Sequence, residues 1–600
     1  MKKKKKKEPV FSKKKIKRMK RSDGLSMKLV DQFTMDRVVA CSTSRHPKRV
    51  ALRTYAEEGS EITYGELQRK SDAIGLYFLE QGFVKGDRVA LVGESSPTWM
   101  LAYFGITGIG LTAVPVLSEF SAKEVLQILA DGDVKAVVVN GRHIEKVLPF
   151  IQERPEFLIR LEDLFHIPMP ISSELQNKTQ FINAPGRDIT RRKVDAKAKK
   201  LLTEHRPAEE DLASLIYTSG TTGMSKAVML THKNLVWNAD ISTDVYVKLK
   251  PGHKTLSILP VSHVYEFTTG QILELLCGCE IVYLGRPPAP SSLLPALKEV
   301  RPHILMTVPL LIEKIYRASV LPTLKENTKL QPYLRYGLSR RFIYRIIGRK
   351  LKVTMGGRLR FFGIGGAPLD REVETFLAEA KFPYALGYGL TETSPLIAGG
   401  KPKNHTVGVI GPIVKHLEVR LEEQDPNTKI GEIAVKGPSV TQGYWNNPTL
   451  NEESFTSDGF FKTGDLGFID KKGRLAIMGR TKTMILGSGG ENIYPELIEA
   501  VINNQDFVTE SLVIPEGGAL VALIKLDLEA YAEKMALSVN EAKSEAARYI
   551  SKLREEVNKE LAAFSRLSGV HLQEDAFERT PTQKIKRFLY HRKKDEREDA

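Results

Sequence analysis

The stretch Tyr217-Thr-Ser-Gly-Thr-Thr-Gly-Met-Ser-Lys-Ala-Val-Met-Leu-Thr-His232 carries more chemical information than any other part of this 600-residue chain. From Thr218 to Lys226 it combines five hydroxyl side chains and two glycines with an ammonium group. Gly220 and Gly223 permit torsions and close approaches that a Cβ would hinder, while hydroxyls, amide N–H groups and the ammonium donate hydrogen bonds to anionic oxygens. The composition therefore predicts a loop that binds a polyphosphate.

The flanking residues indicate where this loop lies. Ala213 to Tyr217 is typical of a short buried strand, and Asn234 to Asp240 of the start of a helix, so we expect the loop between a strand and a helix. The Gly-x-x-x-x-Gly-Lys-Ser/Thr spacing of a Walker A loop is absent. Taken alone, the segment is equally consistent with a flexible Ser/Thr/Gly connector.

The segment resembles the signature loop of the acyl-adenylate-forming superfamily, which includes acyl-CoA synthetases, luciferases and peptide-synthetase adenylation domains. The resemblance implies that the loop holds the phosphates of ATP. It assigns these contacts to Thr218, Ser219, Gly220, Thr221, Thr222, Gly223 and Lys226. The family usually has glycine directly after the lysine, whereas this chain has Ala227.

Length and patterning predict an α/β protein of more than one domain, since 600 residues exceed what one core normally organises. Strand-like runs such as Arg88 to Val92 and Lys135 to Val139 alternate with helical patterns such as Leu67 to Leu79. We therefore expect a large N-terminal domain of layered α/β subdomains with mostly parallel sheets. A small α+β cap domain is expected at the C-terminal end.

Cysteine content and hydropathy indicate a cytoplasmic location. Cys41, Cys277 and Cys279 form neither a disulfide framework nor a metal-site spacing. The longest apolar stretch, Phe104 to Leu117, is too short to span a bilayer and predicts buried core. Association with a membrane surface stays open.

The positive charge is concentrated at the N-terminus. Residues 1–24 hold thirteen Lys/Arg against Glu8 and Asp23, and the whole chain has a net charge of +17. Such a block predicts disorder. Three interpretations remain, namely adhesion to anionic lipid or nucleic acid, a merely solvated tail, and a start codon placed too far upstream, with Met27 as the true start. Because no recognition motif accompanies the charge, nucleic acid is not the expected partner.

Two glycine-rich segments predict a seat for adenine. Gly363-Ile-Gly-Gly-Ala-Pro-Leu369 is a turn against which a flat base can lie, with Gly366, Ala367 and Pro368 as the contact residues. Gly387-Tyr-Gly-Leu-Thr-Glu-Thr393 adds a ring, a hydroxyl and a carboxylate. By the resemblance, the nucleotide contacts in this second segment are Gly387, Tyr388, Gly389 and Thr391, and Mg²⁺ is held by Glu392 with Thr221.

The segment Phe460-Phe-Lys-Thr-Gly-Asp-Leu-Gly467 places Asp465 after a predicted Thr-Gly turn, where a carboxylate can accept both ribose hydroxyl protons. The resemblance gives Asp465 this role and places Arg480 on the ribose or phosphate side. It also makes Lys482 the hinge about which the C-terminal domain swings. These assignments divide the chain into a tail of residues 1–24, an adenylate-forming domain of residues 25–479 and a mobile domain of residues 480–600.

The C-terminal part supplies groups for the two half-reactions. By the resemblance, the loop with Gly487, Gly489 and Gly490 closes on the site for thioester formation with CoA. Lys584, in Arg579-Thr-Pro-Thr-Gln-Lys-Ile-Lys-Arg587, matches the adenylation lysine. The glycine that usually precedes this lysine is replaced by Gln583, a variant associated with long-chain acyl-CoA synthetases.

Substrate preference is indicated by two further segments. Leu259-Pro-Val-Ser-His-Val-Tyr-Glu-Phe267 resembles the acyl-site segment of fatty acyl-CoA synthetases, so His263 is expected to line the site and Phe267 to gate an acyl tunnel. From Leu334 to Leu351 a predicted helix carries apolar side chains on one face and arginines elsewhere. Such a helix packs on its own domain or contacts an anionic membrane surface.

These features predict a long-chain fatty acid–CoA ligase that uses ATP, Mg²⁺ and CoA and forms acyl-AMP with release of pyrophosphate. One alternative is a ligase that transfers the acyl group to an acyl-carrier protein, or that activates another carboxylic acid. A second alternative is a non-catalytic scaffold that binds lipid or nucleotide. The oligomeric state cannot be inferred from the sequence.

Overall fold

The computed structural model describes residues 19–20, 26–153, 157–168, 171–218, 226–245, 248–325, 327, 329–402, 405–486, 492–516, 519–580 and 585–590. Within them the large N-terminal part contains two eight-stranded mixed sheets and one five-stranded sheet. A smaller C-terminal region has a three-stranded sheet of its own. The predicted α/β class, with a large layered domain and a small α+β domain, is confirmed.

The first sheet is parallel at its centre and antiparallel at both edges. Val134–Val139 is a central strand with almost every side chain buried, which is the pattern of a parallel strand covered on both faces. In spatial order the strands are Arg187–Asp188, Phe165–Ile167, Phe157–Arg160, Val134–Val139, Arg88–Val92, Thr112–Val116, Leu212–Thr218 and Lys226–Thr231.

The second sheet has the same plan, with parallel central strands between two antiparallel edge pairs. Its strands are, in spatial order, Leu396–Gly399, Tyr384–Gly389, Phe361–Ile364, Ile304–Thr307, Lys254–Ser257, Glu280–Tyr283, Val50–Thr54 and Ile62–Thr63. The helix Pro97–Thr107 packs against strands of both large sheets, and Trp99 and Tyr103 are among its fully buried side chains. This helix therefore lies in a core that the two sheets share.

The third sheet is antiparallel and carries one side of the candidate site. Its order is Gly411–Pro412, Arg474–Arg480, Phe461–Ile469, Gly431–Lys436 and Glu418–Glu422. The C-terminal sheet is formed by Val508–Glu516, Ala519–Leu526 and Gly569–Leu572. Two-residue strands pair Met19–Lys20 with Ser26–Met27 and Ile485–Leu486 with Asn492–Ile493.

Helices surround these sheets, and none of the described ones is long and apolar enough to cross a bilayer. In the first half of the chain the α-helices are Met35–Arg45, Tyr64–Glu80, Pro97–Thr107, Ala122–Asp131, Ile144–Glu153, Ile171–Glu174, Lys178–Asn183, Ala196–Glu204, His232–Ser242, Leu273–Leu276 and Pro290–Val300. Those that follow are Pro309–Ile315, Leu321–Lys325, Gln331–Leu334, Gly337–Thr354, Arg371–Glu379, Pro448–Ser454, Pro495–Asn503, Leu528–Met535 and Val539–Glu560. Glu266–Ile272 and Tyr316–Val320 are π-helical, and Ile189–Arg191, Thr391–Thr393, Ala563–Ser565 and Arg587–Leu589 form short 3₁₀ turns.

The expected position of the phosphate loop between a strand and a helix is wrong. Leu212–Thr218 is a strand, but it is followed by a second strand, Lys226–Thr231, that pairs with it antiparallel. The helix begins only at His232, where the Thr231 hydroxyl accepts the backbone N–H of Asn234. Apolar residues after Lys226 favour pairing with the first strand, so the segment between them connects a hairpin.

Two further expectations need correction. Asp465 does not follow a turn, because Phe461–Ile469 is one strand in which Gly464 adopts a φ of +71° without ending the pairing. The predicted helix from Leu334 to Leu351 is two helices, Gln331–Leu334 and Gly337–Thr354, because Tyr336 is extended between them.

The C-terminal region contacts the large domain through polar groups. The Arg317 guanidinium donates hydrogen bonds to the backbone oxygens of Asn503, at 3.0 Å, and Val508, at 3.1 Å. Lys325 forms an ion pair with Asp506. The helical segment 309–325 therefore supports the C-terminal region in this arrangement.

His232 joins the first helix of the large domain to the hairpin. Its ring is fully buried, and Nδ1 accepts the backbone N–H of Met35 at 3.1 Å. Burial lowers the pKa of His232 to about 3. Asp211 acts to raise this pKa, and the Lys85 ammonium acts to lower it. The folded protein therefore holds this imidazole neutral over a pH range in which the unfolded chain protonates it.

This difference makes the stability of the large domain dependent on pH. Between pH 6.5 and pH 3 the unfolded state binds one more proton at His232, so acidification costs about 1.4 kcal/mol of unfolding free energy per pH unit. We expect His232→Asn, whose amide oxygen can accept the Met35 N–H, to lower the thermal midpoint at pH 7 but to reduce its fall below pH 6. Thermal unfolding measured from pH 7.5 to 4.5 checks this, with the exposed His571→Gln as control. Equal pH dependence in wild type and His232→Asn would contradict the assignment.

Candidate functional site

The candidate site lies where strands of the second and third sheets bring polar side chains together. Phe361–Ile364 and Tyr384–Gly389 are adjacent parallel strands, so the glycine segments that follow or end them lie side by side. An open α/β sheet binds ligands at the carboxyl ends of its parallel strands. Gly366, Ala367 and Pro368 are exposed there, as a seat for a flat base requires.

Close packing explains two of the glycines. A Cβ on Gly389 would lie 1.8 Å from the backbone oxygen of Pro395, so no other residue fits without displacing the backbone. Gly366 has a φ of +87°, and the nearest atom to an added Cβ would be Val308 Cγ1 at 3.8 Å. The first glycine is therefore required by its neighbours and the second by its torsion.

One half of the site is centred on Asp465. Asp465 is buried in the third sheet, and its Oδ1 accepts a hydrogen bond from Arg480 Nε on the paired strand at 2.7 Å. Its Oδ2 accepts the hydroxyl of Tyr388, from the second sheet, at 2.9 Å. Burial raises the pKa of Tyr388, and the neighbouring Asp465 raises it further. A fixed carboxylate beside an aromatic ring matches the binding of a ribose beside a base.

The other half is centred on Glu392, which follows the same strand of the second sheet. Glu392 Oε1 accepts the Tyr444 hydroxyl at 2.9 Å, and its backbone oxygen accepts the N–H of Thr441 at 2.8 Å. Lys226 lies over the ring of Tyr444, with Nζ 5.5 Å from the ring centroid. Tyr444 therefore joins the end of the hairpin to the carboxylate.

Electrostatics connect Lys226 to the rest of the site. Burial lowers the pKa of Lys226, the Lys482 ammonium lowers it further, and Glu392 and Glu453 act in the opposite direction. Two cations and two carboxylates thus share a small region. This arrangement suits a polyanion, whose negative charge relieves the repulsion between the two lysines.

The site fits a divalent cation that is shared with phosphates. Among the described residues no group of three or more His, Cys, Asp or Glu side chains converges on a common point. A Mg²⁺ ion bound through one carboxylate and substrate phosphates needs no such group. Glu392 is half-buried and supplies a hard oxygen ligand close to Lys226.

The residues predicted to line the acyl site lie in or beside the shared core. Phe267 is buried in the shared core, with its ring centroid 4.4 Å from that of Tyr103, and its N–H donates to the backbone oxygen of His263 at 2.9 Å. His263 is half-buried. Tyr265 between them reaches the glycine turn, since an added Cβ on Gly365 would lie 3.2 Å from its ring.

Of the remaining predicted residues, some lie in the described part of the chain and others lie outside it. Thr218 pairs with Lys226 in the hairpin, and Thr391 begins a short 3₁₀ turn with Glu392. Lys482 is exposed two residues after Arg480. Nine predicted residues lie outside the described residues, namely Ser219, Gly220, Thr221, Thr222, Gly223, Gly487, Gly489, Gly490 and Lys584.

Sequence reasoning missed Tyr444 and Tyr265. The available signal for Tyr444 was the sequence Gly443-Tyr-Trp-Asn446, an aromatic pair inside a polar segment. The N–H of Met229 bonds to Gly443 and that of Trp445 to Ala227, which attaches this segment to the hairpin. The methyl group of Ala227 is buried in the core, so the structure accommodates alanine at this departure from the family pattern.

Comparison with known proteins agrees with this geometry. The sequence profile of the AMP-binding enzyme family matches residues 40–445. The long-chain-fatty-acid–CoA ligase of Yersinia pestis is 30% identical over 495 residues, which cover 78% of this chain and 81% of that protein. The long-chain-fatty-acid–CoA ligase FadD15 of Mycobacterium tuberculosis is 27% identical over 564 residues, which cover 88% and 90%.

Solved structures show the same fold. ATP-bound MatB from Rhodopseudomonas palustris superposes with a TM-score of 0.69 at 23% identity, covering 93% of this chain and 98% of that one. The o-succinylbenzoate CoA synthetase MenE from Bacillus subtilis, in complex with its acyl-adenylate intermediate, gives 0.70 at 21% identity with the same coverage. The chain therefore belongs to the AMP-binding enzyme family, the acyl-adenylate-forming superfamily that its motifs resemble.

Proposed function

We propose that this protein is an AMP-forming fatty acid–CoA ligase with preference for long acyl chains. The observation that carries the proposal is the convergence of Lys226, Tyr444 and Glu392 on one side and Tyr388, Asp465 and Arg480 on the other. The first set suits phosphates and the second suits a nucleoside. An acid activated by ATP needs both.

In the first half-reaction the carboxylate oxygen of the acid attacks the α-phosphorus of ATP. A new P–O bond forms the acyl-AMP anhydride, and the bond to the bridging oxygen of pyrophosphate breaks. Lys226 neutralises charge on the phosphates, Asp465 and Arg480 hold the ribose, and Lys584 is assigned to the charge that develops at the α-phosphate. Fixed charges of this kind stabilise the transition state without reorganisation.

Mg²⁺ would be held by Glu392, with Thr221 as the predicted second contact, and supplies charge neutralisation at the phosphates. Tyr444 orients the Glu392 carboxylate through its hydroxyl. In the second half-reaction the thiol of CoA attacks the acyl carbonyl and AMP leaves. Rotation about Lys482 is assigned the exchange of Lys584 for the loop with Gly487, Gly489 and Gly490.

A fatty acid is favoured by the relatives and by the acyl-side segment. The relatives named above are long-chain-fatty-acid–CoA ligases, and their identity of 27–30% makes the acyl chain length a proposal for this protein. Phe267 forms an aromatic cluster with Trp99 and Tyr103, and its N–H bonds to the backbone oxygen of His263. Opening of this cluster, with Phe267 as gate, would create an apolar channel.

Two assays test the proposal together. Pyrophosphate release and thioester formation are measured with short, medium, long-chain and aromatic acids, and with CoA or an acyl-carrier protein as acceptor. We expect the highest kcat/KM with a long-chain acid and CoA. Best turnover of an aromatic or short acid would overturn the substrate class, transfer to the carrier protein alone would overturn the acceptor, and no release with any acid would leave only the scaffold alternative.

The same assays separate the half-reactions in Lys584→Ala. Pyrophosphate release should fall by about 10²-fold or more, because the ammonium group that neutralises charge at the α-phosphate is lost. Conversion of supplied acyl-AMP and CoA should continue, and Lys586→Ala serves as the neighbouring control. Equal loss of both half-reactions would contradict the role of Lys584.

Asp465→Asn tests the nucleoside half. The amide of asparagine points its N–H group at a donor that bonds to the carboxylate in the wild type. We therefore expect the KM for ATP to rise about 10- to 100-fold, which is the range for loss of a charged hydrogen bond. Tyr388→Phe removes one neutral hydrogen-bond donor to Asp465 and should raise the KM for ATP about fivefold. Asp458→Asn is the matched control, since Asp458 bonds to Arg420 on the outer side of the third sheet. A KM that responds equally to Asp458→Asn would show a general effect on folding.

Tyr444→Phe tests the orientation of Glu392. Loss of the hydroxyl leaves the carboxylate free to turn, so the Mg²⁺ concentration for half-maximal activity should rise about tenfold, as for other residues that position a metal ligand. Tyr316→Phe is the control, because the Tyr316 hydroxyl donates to Glu372 at the same 2.9 Å outside the site. An unchanged Mg²⁺ dependence with a lowered kcat would assign Tyr444 a different role.

A further inference from the structure

The helix Gly337–Thr354 leaves a stripe of apolar side chains in solvent. Leu338 is 84% exposed, Phe342 66%, Ile346 40% and Val353 71%. Their spacing places them along one side of the helix. Tyr333 and Tyr336, which precede this helix, are also exposed, at 58% and 71%. Large apolar side chains exposed in a contiguous row mark an interaction surface more often than isolated ones.

Folding does not account for this stripe. The opposite side of the helix packs on the core through Ile343, Gly348 and Leu351, and Tyr344 contacts Phe376 on the neighbouring helix at 5.1 Å between centroids. The helix is therefore anchored without the stripe. Substitutions in the stripe should leave the fold intact.

Basic residues border the stripe. From Gln331 to Thr354 the sequence has seven Lys and Arg and no Asp or Glu. Arg341, Arg345 and Arg349 repeat at the interval of one helical turn and are exposed. Arg340 is paired with Glu379, and Arg341 Nε lies 3.9 Å from the same carboxylate, but in the described part of the chain no carboxylate lies within 4 Å of Arg345 or Arg349. The border thus carries uncompensated positive charge at Arg345 and Arg349.

We propose that this surface docks the protein on an anionic lipid bilayer. Guanidinium groups meet the phosphates of the headgroups, and Leu338, Phe342 and Val353 enter the boundary of the acyl chains. The combination of a cationic border with an apolar centre complements a bilayer surface in both charge and polarity. The inference goes beyond the proposed ligase activity and does not depend on which acid is activated.

Sedimentation with vesicles tests the proposal on the full chain. Wild type should bind vesicles of phosphatidylcholine and phosphatidylglycerol and should not bind phosphatidylcholine alone. Leu338→Ser with Phe342→Ser should weaken binding about tenfold, because two apolar side chains that enter the bilayer are lost. Replacement of Arg341, Arg345 and Arg349 by Gln should weaken it similarly at low salt and less at high salt.

The polybasic N-terminus needs its own control, because it also attracts anionic lipid. In a full-length variant the thirteen Lys and Arg of residues 1–24 are changed to Gln. This variant should retain binding that Leu338→Ser with Phe342→Ser then removes. Val84→Ser with Val539→Ser, exposed at 59% and 52% elsewhere, is the matched apolar control and should bind as wild type.

Depth is measured with Phe342→Trp and lipids brominated on the acyl chains. Quenching beyond that of wild type supports insertion, since Trp99 and Trp237 are buried. The proposal is overturned if wild type does not bind anionic vesicles, if Leu338→Ser with Phe342→Ser binds as wild type, or if bound Phe342→Trp is not quenched. It is also overturned if light scattering shows that the stripe holds two copies of the chain together.

Discussion

The hydrogen bonds of Asp465 hold the candidate site together, because they join side chains from two different sheets. A buried carboxylate is costly unless both of its oxygens are satisfied, and here Arg480 and Tyr388 satisfy one each. The third sheet is thereby attached to the end of the strand Tyr384–Gly389, next to the edge of the second sheet. This junction also positions the neighbouring parts of the site, because Glu392 follows the strand of Tyr388 and Lys482 follows that of Arg480.

Much of the fold could be predicted because burial imposes strong patterns. Runs such as Val134–Val139 are apolar on both faces, and helix starts such as Pro495 carry their own signals. The errors arose where strand pairing or a backbone torsion decides the local structure. Lys226–Thr231 became a strand by pairing with Leu212–Thr218, and Gly464 let a strand continue through a residue pair typical of turns.

The sequence could predict individual residues of the candidate site where a recognisable motif contains them. Motif resemblance assigned Lys226, Glu392 and Asp465 to the site, but it gave no information on what each side chain contacts. Tyr444 was missed because its partner Glu392 is 52 residues away and its other neighbour, Lys226, is much farther along the chain. Contacts between distant segments follow from sheet order, which a single sequence does not encode in any local pattern.

The contacts of Arg317 and Lys325 with the C-terminal region have a consequence for turnover. They are polar, and contacts of this kind contribute on the order of 1 kcal/mol each. Exchanging them for water during the proposed rotation therefore changes the free energy little. Two orientations of the C-terminal region can then be close in energy, so that the bound species, ATP or acyl-AMP, sets their populations. In the rotation proposed above, contacts of this strength would let the chemical state of the substrate act as the switch between the half-reactions.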